Sequence, residues 1–195
     1  MAFLRKKSEF RPDSSIRNWT QRLYLSPQQQ KRYLKWILLA VLSVLSLLLQ
    51  DVLFSRISIY GSTVDLVPCA LIVICVMQGI ESGCVFLLIG ALVYYFSGSS
   101  PGVYVILLIP VLGCVAAAFR QAYLRKGFRT TMMCSGIAVV LYEIISFLAA
   151  LILGVTRLGR FNVILGTAVM SLLSLPVLFL LVRGIAKIGG DSWKE

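Results

Sequence analysis

Histidine is absent from this chain of 195 residues. With it go the commonest general base, the commonest zinc ligand, and every nucleophile that relies on an imidazole. Acidic residues are also scarce: eight Asp and Glu stand against 19 Lys and Arg, a net charge of +11. No G-x-x-x-x-G-K-[ST] run occurs, so a P-loop for nucleotide phosphates is excluded. The five cysteines (Cys69, Cys75, Cys84, Cys114, Cys134) are an odd number and form no C-x-x-C pair. Their apolar neighbours give them the reading of small packing residues rather than redox or metal groups. Nothing here reads as an enzyme site, and no cofactor or metal is expected.

What is there is hydrophobic. Apolar residues make up 58% of the chain and mean hydropathy is +0.88. From Trp36 to about residue 182, apolar runs follow one another with short polar joints between them. Their polar faces are too narrow for a soluble helical protein. The expected fold is an all-α integral membrane bundle of about six transmembrane helices, at 36–54, 63–77, 84–96, 103–119, 131–155 and 163–182. A helix needs roughly 20 residues to cross a ~30 Å hydrocarbon core. Spans two and three are short, since their uninterrupted apolar runs, 66–77 and 84–96, hold 12 and 13 residues. They either take in flanking polar residues to cross or form a re-entrant hairpin inside the bundle. Full crossing is preferred, because helices buried among others tolerate polar ends.

Charge sets the orientation. The expected domains are a basic tail over 1–35, a transmembrane unit over 36–184 and a short tail over 185–195. With both termini cytoplasmic, 16 basic residues fall inside and three (Arg56, Arg157, Arg160) outside, which obeys the positive-inside rule. The net charge therefore calls for anionic lipid headgroups rather than nucleic acid. In the tail, Ile16, Trp19, Leu23 and Tyr24 alternate with Arg17 and Arg22. That pattern fits a short interfacial helix ending near Pro27 or a solvated basic tail, and both readings stay open. The first apolar run begins too late, runs too long and lacks an A-x-A site, so no cleaved signal is expected.

Polar groups inside the spans are the candidate buried sites: Gln50, Glu143 and Ser146. An ionised carboxylate as deep as Glu143 costs about 2.5–3.5 kcal/mol on insertion scales. Gly136, Glu143, Ser146 and Ala150 share one helical face and should turn toward other helices. Ser43, Ser46 and Gln50 form a similar seam, as do Thr167, Ser171 and Ser174, and both read as hydrogen-bonding glue between helices. Gly79–Gly83 and Gly98–Gly102 both match G-x-x-x-G but fall at joints, where turn formation explains them better than helix packing.

The most distinctive block begins Leu49-Gln50-Asp51-Val52-Leu53-Phe54 and continues through Ile59-Tyr60-Gly61 to Asp65-Leu66-Val67. Gln78-Gly79-Ile80-Glu81-Ser82-Gly83 follows, then Gly90-Ala91-Leu92-Val93-Tyr94-Tyr95-Phe96-Ser97-Gly98, and Ser100-Pro101-Gly102-Val103-Tyr104 closes it. In order and spacing it resembles MreD, the rod shape-determining membrane protein family of bacteria. The likeness covers roughly residues 36–120. It carries Asp65, Gly79, Gly83, Gly90, Tyr94, Gly98, Gly102 and Tyr104 as candidate partner or structural positions. The chain departs from the family pattern at Val64, where a proline is expected, and at Tyr94, where an acidic residue is expected.

The resemblance implies a non-catalytic subunit of the machinery that builds side-wall peptidoglycan, held in the bacterial cytoplasmic membrane. Its implied partners are an MreC-like single-span protein and, through it, MreB-like filaments and the peptidoglycan synthases. The fold is also similar to the substrate-capture subunits of energy-coupling vitamin transporters. A small-molecule-binding transporter subunit is therefore the alternative, with Tyr94, Tyr95 and Tyr104 as pocket candidates.

Overall fold

The computed structural model describes residues 27–54, 62–124 and 127–188. The proposed interfacial helix over 16–24, most of the basic tail, and Tyr60 and Gly61 lie outside the described residues. Among the described residues there are six α-helices and no strand: α1 Pro27–Leu49, α2 Leu66–Gln78, α3 Ile80–Phe96, α4 Val105–Tyr123, α5 Phe128–Ile152 and α6 Phe161–Ile188. A π turn over Gln50–Phe54 ends α1, and a short 3-10 turn precedes α6.

Two boundaries drawn from hydropathy move. Residues 27–35 belong to α1 rather than to a separate tail. Pro27 opens the helix where its missing N–H costs nothing, and Gln28–Gln30 with Lys31 are good helix formers. At the other end α6 runs past 184 to Ile188, because polar helix-forming residues continue a helix that hydropathy alone would stop.

Among the described residues, four helices are long and apolar enough to cross a membrane: α4, α5, α6 and the stretch 29–52 of the first. Their outward faces carry large apolar side chains at helical spacing. Leu107, Val111 and Val115 stand exposed on α4, Met133, Ile137 and Leu141 on α5, and Leu165, Val169 and Leu173 on α6. That arrangement suits hydrocarbon surroundings rather than water.

Helix α2 is built differently. All twelve residues from Leu66 to Met77 are buried, and α2 packs against each of the other five helices. Its 13 residues span only about 20 Å at 1.5 Å per residue. A helix with no lipid-facing side needs neither full length nor a polar stripe, which accounts for its unbroken apolar run. Truncation separates the two environments. Ile72→Ala, at a site 0% exposed, is expected to cost about 2–5 kcal/mol in detergent unfolding. Leu173→Ala, 74% exposed on α6, should change stability by less than about 0.5 kcal/mol.

The joint between α2 and α3 is one residue, Gly79, whose φ of +95° is the left-handed region that favours glycine. Four residues on, Gly83 lies inside α3 against the Cys75 backbone. Helix packing, and not turn formation, explains the second glycine of that G-x-x-x-G.

The two ends of the bundle differ in charge. The start of α1, the start of α5 and the end of α6 carry Lys31, Arg32, Lys35, Arg129, Arg183 and Lys187, against Glu81 in the first turn of α3. Arg120, one of the 16 basic residues expected on that side, is buried in the last turn of α4. The opposite end carries Asp51 and Asp65, with Arg157 and Arg160.

Candidate functional site

The polar side chains gather at that opposite end, around the start of α2. A helix leaves the N–H groups of its first turn without intrahelical partners; in α2 Pro68 has none to satisfy, and Leu66 and Val67 are buried, where an unmet donor is costly. Asp65, at the N-cap position, supplies no side-chain cap. Side chains from α6 and the end of α1 satisfy two of its donors instead. The Val67 N–H donates to Gln50 Oε1 at 2.9 Å, and the Asp65 N–H to Ser171 Oγ at 3.2 Å. Gln50 is the first residue of the π turn, a local widening often found where a helix serves a site.

Gln50 carries the network onward. Its Nε2 donates to Tyr94 Oη at 3.2 Å, and the Tyr94 hydroxyl donates to the Ser99 carbonyl at 3.4 Å. Ser99 Oγ in turn donates to the Asp51 carboxylate. Tyr94 is 0% exposed and acts as a hydrogen-bonding bridge from the end of α1 to the turn after α3. Ser62 Oγ donates to the Val163 carbonyl at 2.8 Å, fastening the segment before α2 to α6.

A second group lies one layer deeper on α5. Glu143 and Ser146 are buried as expected, with Tyr142 beside them. The Ser171 side chain faces the Glu143 carboxyl, and Asp65 lies within electrostatic reach of it. Tyr104 Oη donates to the Ser146 carbonyl at 3.4 Å. Among the described residues, Tyr142 Oη, Glu143 Oε1 and Ser146 Oγ make no hydrogen bond. Glu143→Gln, an isosteric neutral amide, should stay within about 1 kcal/mol of the wild type. Glu143→Ala opens a cavity beside Ser171 and should cost about 2–3 kcal/mol in the same unfolding measurement.

The candidate positions therefore divide. Gln50, Asp65, Tyr94, Tyr104, Glu143 and Ser146 converge on the start of α2. Gly79 and Gly83 lie at the far, basic end, and Gly90 lets α3 approach Leu71. Gly98 and Gly102 belong to the turn between α3 and α4. The two serine seams do face inward, but most of their hydroxyls are not glue between helices. Ser43, Ser46, Thr167 and Ser174 bond carbonyls of their own helix. Gln50 and Ser171 are the members shown reaching beyond their own helices.

Three features escaped the sequence reading. Ser99 sits in a turn without periodic signal. Arg120 is a charge within an apolar interior. The third is a lateral cleft of about 470 Å³ between α4 and α5. Leu112, Val115, Phe119, Met133, Ile137 and Leu141 line it with others of the same kind. Of these, Val115, Phe119, Met133, Ile137 and Leu141 are exposed on the outer surface of the bundle. A wall so apolar accommodates hydrocarbon or an apolar helix and offers almost nothing to orient a polar ligand.

No family description, curated protein or solved structure matches this chain.

Proposed function

We propose that this chain is a non-catalytic scaffold subunit of the bacterial cell-elongation machinery. In this reading it supports side-wall peptidoglycan synthesis by holding partners through helix contacts within the membrane. All six helices belong to the bilayer-embedded unit, α2 and α3 crossing with their polar ends included. Both termini are cytoplasmic, and the basic end faces anionic headgroups of the inner membrane.

The apolar cleft between α4 and α5 carries the proposal. It opens sideways, toward lipid, which is where the single transmembrane helix of an MreC-like partner would lie. Such a helix would dock by shape and small-residue approach, as helices associate in lipid. The resemblance of the block over 49–104 to MreD supports the same reading. MreB-like filaments and the synthases would then be reached through that partner.

The test is photo-crosslinking in native membranes. A benzophenone amino acid at Phe119, Met133 or Ile137 is expected to capture one single-span protein, while Leu173, exposed on α6 and outside the cleft, captures none. Equal capture at all four positions, or only lipid adducts in the cleft, would contradict the docking site.

A further inference from the structure

Three cysteines on three different helices meet inside the bundle. The sulfurs of Cys75 on α2, Cys84 on α3 and Cys114 on α4 all lie within 4.8 Å of one another. Cys84 and Cys114 share a disulfide, and Cys75 is the free third sulfur. This corrects the expectation that all five cysteines merely pack. Cys69 and Cys134 are buried and free, outside the group.

We propose that the reduced chain uses Cys75, Cys84 and Cys114 as a binding site for a soft, thiophilic cation of the Cu(I) class. The donor set is all sulfur, which selects soft ions over magnesium, calcium or manganese. Three helices each contribute one ligand, and Cys75 stands on α2, which the other five helices hold in place. Glycine keeps room beside it: a Cβ on Gly83 would lie 2.8 Å from Cys75 Sγ. Arg120 is close enough to Cys75 to act on it electrostatically, and its positive charge offsets that of bound thiolates. Cys84 and Cys114 are only half-buried.

The chemistry needs a reductant, and a cellular thiol of the glutathione class supplies it. Two such thiols give two electrons and two protons to the Cys84–Cys114 bond and end as their own disulfide. The cation then binds as Cu(I) without changing oxidation state, and each thiol that ligates it releases one proton.

The experiment uses the full-length protein in detergent, reduced with a phosphine, desalted without oxygen and titrated with Cu(I) against a chromophoric Cu(I) chelator. One Cu(I) per chain is expected, with only sulfur in its first shell by X-ray absorption. Cys75→Ser, Cys84→Ser and Cys114→Ser each remove a ligating sulfur and should weaken binding by more than the roughly 10–100-fold that loss of an outer-shell partner costs. Cys69→Ser and Cys134→Ser should leave it within about threefold. Size-exclusion profiles and melting curves confirm that each variant is folded before titration. Retention of all Cu(I) by the chelator with the wild type, or equal loss in the two control variants, would overturn the site. The scaffold proposal does not depend on this result.

Discussion

Gly83→Val is expected to yield little or no monodisperse protein in detergent, while Gly184→Ala yields at least as much as the wild type. The difference lies in what each new side chain meets. A Cβ at Gly83 would lie 3.0 Å from both Cα and the carbonyl oxygen of Cys75. Those are backbone atoms of α2, the helix packed against the other five, so α2 cannot retreat without disturbing the whole bundle. Overpacking a rigid contact costs about 1–3 kcal/mol and occasionally more, and valine adds two methyl groups beyond the Cβ. Gly184 lies in α6 with nothing within 4 Å of its added Cβ. Alanine there is expected to raise stability by up to about 1 kcal/mol through helix propensity. Comparable losses at both positions would mean that α2 and α3 are not in this register.

Gln50→Leu is expected to destabilise the protein by about 2–4 kcal/mol, although leucine suits a membrane helix better than glutamine. The substitution leaves the Val67 N–H without its acceptor and removes the donor to Tyr94 Oη. Each buried polar group left unsatisfied costs about 1–3 kcal/mol. Tyr94→Phe alone should cost about 1 kcal/mol. In the double variant the two losses should not add, because both remove the same Gln50–Tyr94 bond. Strict additivity in a double-mutant cycle would show that the two side chains do not touch.

The long helices were legible because lipid and packing both demand apolar residues, so their hydropathy reports length almost directly. The shortness of α2 was equally plain in its apolar run. Its burial on every side was not, because period and composition cannot tell a helix facing lipid from one facing helices. Glu143 and Ser146 were placed on an inward face by their spacing alone, and Gln50 likewise. The serine seams misled, since a carbonyl three or four residues back is always in reach of a helical hydroxyl. Ser43 and Thr167 take that local bond, and only a three-dimensional neighbour sets Ser171 apart. The sulfur cluster depends on the register of three helices. No motif marks it, since Cys84 and Cys114 stand 30 residues apart.

The scaffold role itself is tested most directly by what travels with the protein. The tagged full-length chain is purified from its native membrane in mild detergent, and every co-purifying protein is identified by mass spectrometry. The account predicts a single-span protein with an extracytoplasmic domain, together with enzymes of wall synthesis. Recovery of ATPase subunits with a stoichiometric small molecule would contradict it and make the chain the capture subunit of a transporter.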